Sequence, residues 1–296
     1  MSENKTNINW YPGHMAKTKR QIIEDLKLID VVIEILDARI PISSQNPDLA
    51  KMINKKKRII ILNKSDLADK IETEKWIDKF KKENIIAISV DSNTGNGINK
   101  ILNAIYDVMK EELEKNAING RVGKKVRVLI LGIPNVGKSS FINRISKKTS
   151  AEVGNRPGVT RAKQWVKVDD KIELLDTPGV LWPKFEDKSV GAKLALIGTM
   201  PIDIMPTHEL SSLLFNYLFK YHSDYILKRY NVAMDSEEMN DEIMEQLIIK
   251  IGQNRGMLKA KGEVDIEKTQ ELVLREFKNG ILGTFSLDIL GEEVNG

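Results

Sequence analysis

The chain has 296 residues, 41% hydrophobic and 30% charged, which suits a soluble globular protein of one ordinary domain plus a smaller one. It contains no cysteine, so disulfides and Cys-ligated zinc are excluded, in keeping with a reducing cytoplasm. No apolar run is long enough to span a bilayer, and the polar residues 1–9 lack the apolar core of a signal peptide, so a cytoplasmic protein with no membrane contact is expected. The net charge of +4 is compatible with RNA contact without pointing to it.

In chain order, a helical pattern over residues 17–28 leads into residues 30–36, a β-branched apolar run that predicts a buried parallel strand. Residues 58–62 form a second such run, which passes straight into Asn63-Lys64-Ser65-Asp66. A helix over 72–82, a strand over 84–89 and a helix over 97–114 follow, and the polar, basic stretch 116–124 reads as a surface connector. Residues 125–131 predict a strand that ends in Gly132-Ile133-Pro134-Asn135-Val136-Gly137-Lys138-Ser139, with a helix over 138–146 behind it. Short strands at 165–168 and 172–175 predict a hairpin around Asp169-Asp170. Strands alternating with helices imply a mostly parallel sheet covered on both faces. After about Gly198 the strand signals fade, and amphipathic patterns at 210–227, 239–251 and 266–278 predict helices. The division expected is residues 1–200 as an α/β domain and 201–296 as an all-helical one.

Three short stretches carry the chemistry. GxxxxGKS after a strand and before a helix is a phosphate-binding loop. Gly132 and Gly137 let the backbone approach the phosphates, and Lys138 bridges the β- and γ-phosphates. Ser139 is a magnesium ligand, and Val136, Gly137 and Ser140 complete the cradle at the helix N-terminus. Asp176-Thr177-Pro178-Gly179 ends another strand, with Asp176 placed to hold magnesium through water and the Gly179 amide to sense the γ-phosphate. Asn63-Lys64-Ser65-Asp66 supplies base specificity. The Asp66 carboxylate accepts from both the ring N–H and the exocyclic amine of guanine, Asn63 meets the purine edge and Lys64 lies along the ring face. Taken alone, that tetrapeptide is equally a helix cap. Ser89-Val90 is the candidate backbone contact to the guanine oxygen, with a simple turn before the next helix as the alternative. Thr160, in Gly158-Val159-Thr160, is placed as a switch residue reaching magnesium, or else belongs to a surface loop without ligand contact. The guanine reader precedes the phosphate loop, the reverse of the usual order, so the chain reads as a circularly permuted P-loop GTPase domain followed by a helical domain.

The stretches WYPGHMAK, DARIP, NKSD, GIPNVGKSS, PGVT and DTPG, with GEVDIEKTQELVLREFKNGILG near the C-terminus, resemble the RbgA/YlqF branch of circularly permuted GTPases over nearly the whole chain. The resemblance implies GTP and GDP as ligands, hydrolysis stimulated by a precursor of the large ribosomal subunit, binding to ribosomal RNA through a C-terminal helical domain, and a monomer off the ribosome. Val180 stands where many GTPases have the glutamine that orients the attacking water, so another group must do that work. A helix that leads into a parallel strand starts near the ligand edge, which puts His14 among the candidates for orienting water. The family points to the same residue; a helix cap or an RNA contact is the alternative. Asn135 occupies the position at which related GTPases help bind potassium, with a local turn bond as its other reading. The basic runs at 17–20 and 55–58 have solvation as their default role, and Lys250, Arg255, Lys259 and Lys261 form a cluster to which the family gives an RNA-facing role. Two other functions fit the same motifs: a GTP-dependent RNA-binding scaffold with incidental hydrolysis, and a GTPase of small-subunit assembly or RNA modification.

Overall fold

The structure, a computed structural model, describes residues 14–53, 56–120, 123–149, 165–177, 179, 187–200, 205–233 and 239–291. Runs of Ile, Val and Leu become strands because branched side chains pack well on a pleated surface. They give β1 (Val31–Asp37), β2 (Lys57–Asn63), β3 (Ile86–Val90) and β4 (Val126–Gly132), followed by the shorter β5 (Trp165–Lys167) and β6 (Ile172–Leu175). The sheet order is β3-β2-β1-β4-β6-β5, parallel throughout except for β5, which closes one edge antiparallel to β6.

Every residue of β1 is buried, as a strand covered on both faces requires. Alternation sends Val32 and Leu36 to one face. There they meet Ile22 and Leu26 of α1 (His14–Leu26), Leu49 and Ile53 of α2 (Pro47–Ile53), and Trp76 and Phe80 of α3 (Lys70–Lys82) in two apolar clusters. On the other face α4 (Asn99–Ile118) packs against β2 and β3, and α5 (Lys138–Thr149) against β4. The chain passes from β1 to β2 and β3 on one side and returns to place β4 on the other. The topological switch point therefore lies between β1 and β4, where an open parallel sheet offers a crevice outside its carboxyl ends.

The second unit contains α6 (Lys188–Leu196), α7 (Thr207–Tyr230), α8 (Asp241–Arg255) and α9 (Ile266–Lys278). Asp187, Asn240 and Asp265 cap α6, α8 and α9 through side-chain bonds to first-turn amides. Leu214, Phe215, Leu218, Ile248, Ile251, Val273 and Phe277 form its core. The guanidinium of Arg229 grips Glu276 at 2.7 and 2.9 Å, and the Tyr230 hydroxyl donates to the same carboxylate at 3.0 Å.

The structure differs from the sequence expectation at several places. Contacts divide the chain after residue 185, not near 200, and return residues 288–291 to the first unit. Helix α6 carries a weak amphipathic signal because Gly191, Ala192, Leu194, Ala195 and Leu196 are all buried. The connector begins later than 116, since Ala117 and Ile118 continue α4 to its cap at Asn119. Helix α2 has two turns, too few for its periodicity to stand out in the sequence.

A candidate nucleotide site at the carboxyl edge of the sheet

The strand register brings the motifs together. Asp37 lies beside Asn63, Asn63 beside Val90, Ile35 beside Gly132 and Leu129 beside Leu175, so the loops after β1, β2, β3, β4 and β6 all leave the sheet at one edge. Asn63, buried at the end of β2, ties three of these loops together. Its Nδ2 donates to the Val136 carbonyl at 2.8 Å, and its Oδ1 accepts from the Ser92 amide and hydroxyl at 3.2 and 2.7 Å. The sequence reading gave Asn63 to the purine edge. The structure gives it an internal bond on each side of the amide, which leaves one Nδ2 hydrogen for a ligand.

The phosphate loop needs its glycines for measurable reasons. A Cβ on Gly137, at φ +98°, would fall 2.3 Å from Asn63 Nδ2, and one on Gly132 would fall 2.6 Å from the Ile35 carbonyl. A Cβ on Gly179 would lie 2.7 Å from the Pro134 nitrogen and 2.9 Å from Lys138 Nζ, so DTPG sits directly against the phosphate loop. Thr177, whose role the sequence did not announce, fixes it there by donating from Oγ1 to the Ile130 carbonyl at 2.6 Å. Ser139 and Ser140 are exposed in the first turn of α5, Val136 is buried, and Asn135 stands exposed at the loop tip with φ 58°.

Lys138 is buried, and its ammonium donates to the Gly132 and Ile133 carbonyls at 3.1 and 2.8 Å. Burial lowers its pKa to about 8, against the opposing charge of Asp176. Partial burial in turn pushes Asp176 up from the usual carboxylate range, with the Lys138 charge resisting. A phosphate ligand selects the charged ammonium and raises its pKa, so above pH 8 binding must take up a proton. GDP affinity is therefore expected to be level at pH 6.5–7.5 and to fall roughly threefold to tenfold between about pH 8 and 9. Calorimetry in buffers of different ionisation enthalpy reads that uptake. Equal affinity across the range, or an unchanged slope in Lys138→Met, would contradict this assignment.

At the other end of the cleft, Asp37 is wholly buried. It accepts from Arg39 Nε at Oδ1 and from Arg39 Nη2 at Oδ2, both at 2.9 Å, and Lys64 Nζ lies 3.1 Å from Oδ2. Burial alone would raise its pKa. The charge and bonds of Arg39, with the charge of Lys64, outweigh it and hold the carboxyl at about 2. Lys64 itself has φ 58°, and the Ser65 amide donates to the Val90 carbonyl at 3.2 Å, so Ser89 and Val90 at the end of β3 lie against the guanine reader. Asp66 is exposed; partial burial, then the charge of Asp91, raises its pKa. Asp37, Arg39 and Ser92 were not picked out as site residues by spacing, although an acidic residue closing a buried strand was a usable signal.

Among the remaining expectations, His14 is the first residue of α1, with its side chain outside the described residues. Thr160, Val180 and residues 10–13 also lie outside them. Two basic runs are used inside the protein. Lys56 Nζ donates to the Ile29 carbonyl at 2.7 Å, Arg58 pairs with buried Glu34, and Arg255 donates to the Arg229 carbonyl at 2.7 Å while lying over the Tyr230 ring.

The chain is similar to known proteins over nearly its full length. A family model described as 50S ribosome-binding GTPase matches residues 127–228. Ribosome biogenesis GTPase A of Bacillus cereus is 45% identical over 290 residues, covering 97% of this chain and 96% of that protein. The Thermotoga maritima protein of the same name is 31% identical, covering 95% and 94%. The crystal structure of GNP-bound YlqF from T. maritima superposes with a TM-score of 0.64 at 27% identity, covering 94% of this chain and all of that one. With its permuted motif order, its sheet topology and these likenesses over nearly the full length, the chain belongs to the ribosome biogenesis GTPase A family, the circularly permuted P-loop GTPases.

Proposed function

We propose that this GTPase binds GTP across the edge formed by β1, β2, β4 and β6 and hydrolyses it as a switch on a precursor of the large ribosomal subunit. The observation that carries the reading is the Asn63–Val136 bond of 2.8 Å, which joins a base-recognition loop to a phosphate loop 73 residues away. Lys138 leaves the Gly132 and Ile133 carbonyls for the β- and γ-phosphates, and the amide groups at the start of α5 take the remaining phosphate charge. Asp66 accepts from the guanine, with Lys64 along the ring. The oxygen donors Ser139 and Asp176, both open to solvent, suit a hard divalent cation, and Thr160 would join them. Magnesium held there supplies charge stabilisation for the transferring phosphoryl group. Asn135, at the rim of the loop, is the residue we assign to potassium.

His14 is our candidate for orienting the attacking water, since position 180 offers only valine. Ribosomal RNA is the proposed partner of the second unit. Lys259 and Lys261, exposed in the turn between α8 and α9, are the better candidates for phosphate contact now that Arg255 is occupied. GTP turnover with and without isolated large-subunit precursors, in sodium and in potassium, tests the proposal. A rise of at least tenfold with the particle in potassium is expected, to be lost in His14→Ala. Indifference to particle and cation removes the switch. Normal assembly supported by His14→Ala would favour the scaffold.

A further inference from the structure

After Leu287 the chain leaves the helical unit, and residues 288–291 lie within the first one. Asp288 is 5% exposed, and its carboxylate accepts three bonds from one loop: from the Ile42 amide at 2.9 Å, the Ser43 amide at 2.8 Å and the Ser43 hydroxyl at 2.7 Å. Its amide donates to the Arg39 carbonyl at 3.4 Å, and its carbonyl accepts from Trp76 Nε1 at 2.9 Å. Leu290 packs on the cluster around Trp76 and Phe80, and its amide donates to Glu72 at 3.3 Å.

The loop so held is the one that follows β1. Within it the Ser44 amide donates to the Ile40 carbonyl at 2.9 Å, and the Ser44 hydroxyl accepts from the Asp37 amide at 3.1 Å. At its start, Arg39 clamps Asp37 with two bonds, and Asp37 faces Lys64 at 3.1 Å. A series of contacts therefore runs from the Asp288 carboxylate to Ile42 and Ser43, from the neighbouring Ser44 hydroxyl to the Asp37 amide, and from the Asp37 carboxylate to Lys64. The left-handed backbone of Lys64 stands beside Ser65 and Asp66, so its side chain depends on that buried carboxylate for its direction.

We propose that residues 288–291 are part of the guanine-recognition end of the site, with Asp288 a positioning residue whose carboxylate sets Lys64 through the Ile42–Ser44 loop and Asp37. The proposal rests on the nucleotide site described above. It makes residues 288–291 a determinant of affinity for the base, with no part in holding phosphate. A carboxylate that only stapled the fold would change stability and leave that distinction untouched.

The test uses the full chain and two ligands, GDP and inorganic tripolyphosphate, with calorimetric affinities and thermal unfolding for wild type, Asp288→Ala, Asp288→Asn and Ser43→Ala. Asp288→Ala is expected to weaken GDP about tenfold or more while tripolyphosphate stays within about twofold, with Asp288→Asn intermediate because it keeps one accepting oxygen. A GDP-to-tripolyphosphate ratio within about twofold of wild type in every folded variant overturns the proposal, as does an equal loss for both ligands. Should Asp288→Ala fail to fold, Asp288→Asn and Ser43→Ala decide by the same ratio. A wild-type protein that binds tripolyphosphate but not GDP overturns the nucleotide site itself, and the proposal with it.

Discussion

Gly137→Ala is expected to lower affinity for GTP and GDP together by about a hundredfold or more, while leaving the sheet folded. The residue sits at φ +98°, a conformation that costs an L side chain roughly 1–2 kcal/mol. The added methyl would also sit 2.3 Å from Asn63 Nδ2. That amide has no room to yield, because it is bonded to the Val136 carbonyl on one side and to Ser92 on the other. Breaking those bonds leaves buried polar groups without partners, at about 1–3 kcal/mol each. The sum is roughly 3–8 kcal/mol, two orders of magnitude or more in binding. Calorimetric titration alongside thermal unfolding measures it. Affinity within fivefold of wild type would mean that the Asn63 tie does not hold the phosphate loop in shape. Asn63→Ala, which removes the tie without the methyl, should reproduce most of the loss.

Asp66→Asn should turn the protein from guanine toward xanthine. A carboxylate accepts from the ring N–H and the exocyclic amine together, whereas an amide offers one acceptor and one donor. Two bonds to a charged group, at about 1.5–3 kcal/mol each, put the loss of GTP affinity at a hundredfold or more. Xanthine carries a carbonyl where guanine carries the amine, so the new donor finds a partner and XTP becomes the tighter ligand. Because Asp66 is exposed, the exchange should hardly change stability, and the measurement reads recognition alone. Competition between GTP and XTP for the Asn variant decides the matter: continued preference for GTP would remove Asp66 as the base reader.

The expected phosphate-loop helix begins where predicted, at Lys138, and β2 runs into the guanine reader as its sequence implied. Each of these is a local matter. The glycine spacing, the apolar run before it and the helix behind it are set within about a dozen residues, and such features are visible in a bare sequence. The elements that were missed are short, like α2, or short and buried over more than half their length, like α6, and so carry little periodicity to read.

By itself, then, the sequence determined the fold class, the permuted order of the motifs and the residue types proposed to meet phosphate, metal and base, because backbone geometry and donor chemistry are properties of neighbours along the chain. Only the tertiary structure decided what holds those residues in place. Asn63 reaches Val136 across 73 residues, Thr177 reaches Ile130 across 47, and Asp288 reaches Ser43 across 245. Which strands lie side by side and where the chain returns at its end set these meetings, and both follow from burying the two faces of one sheet, a global condition that no local spacing records.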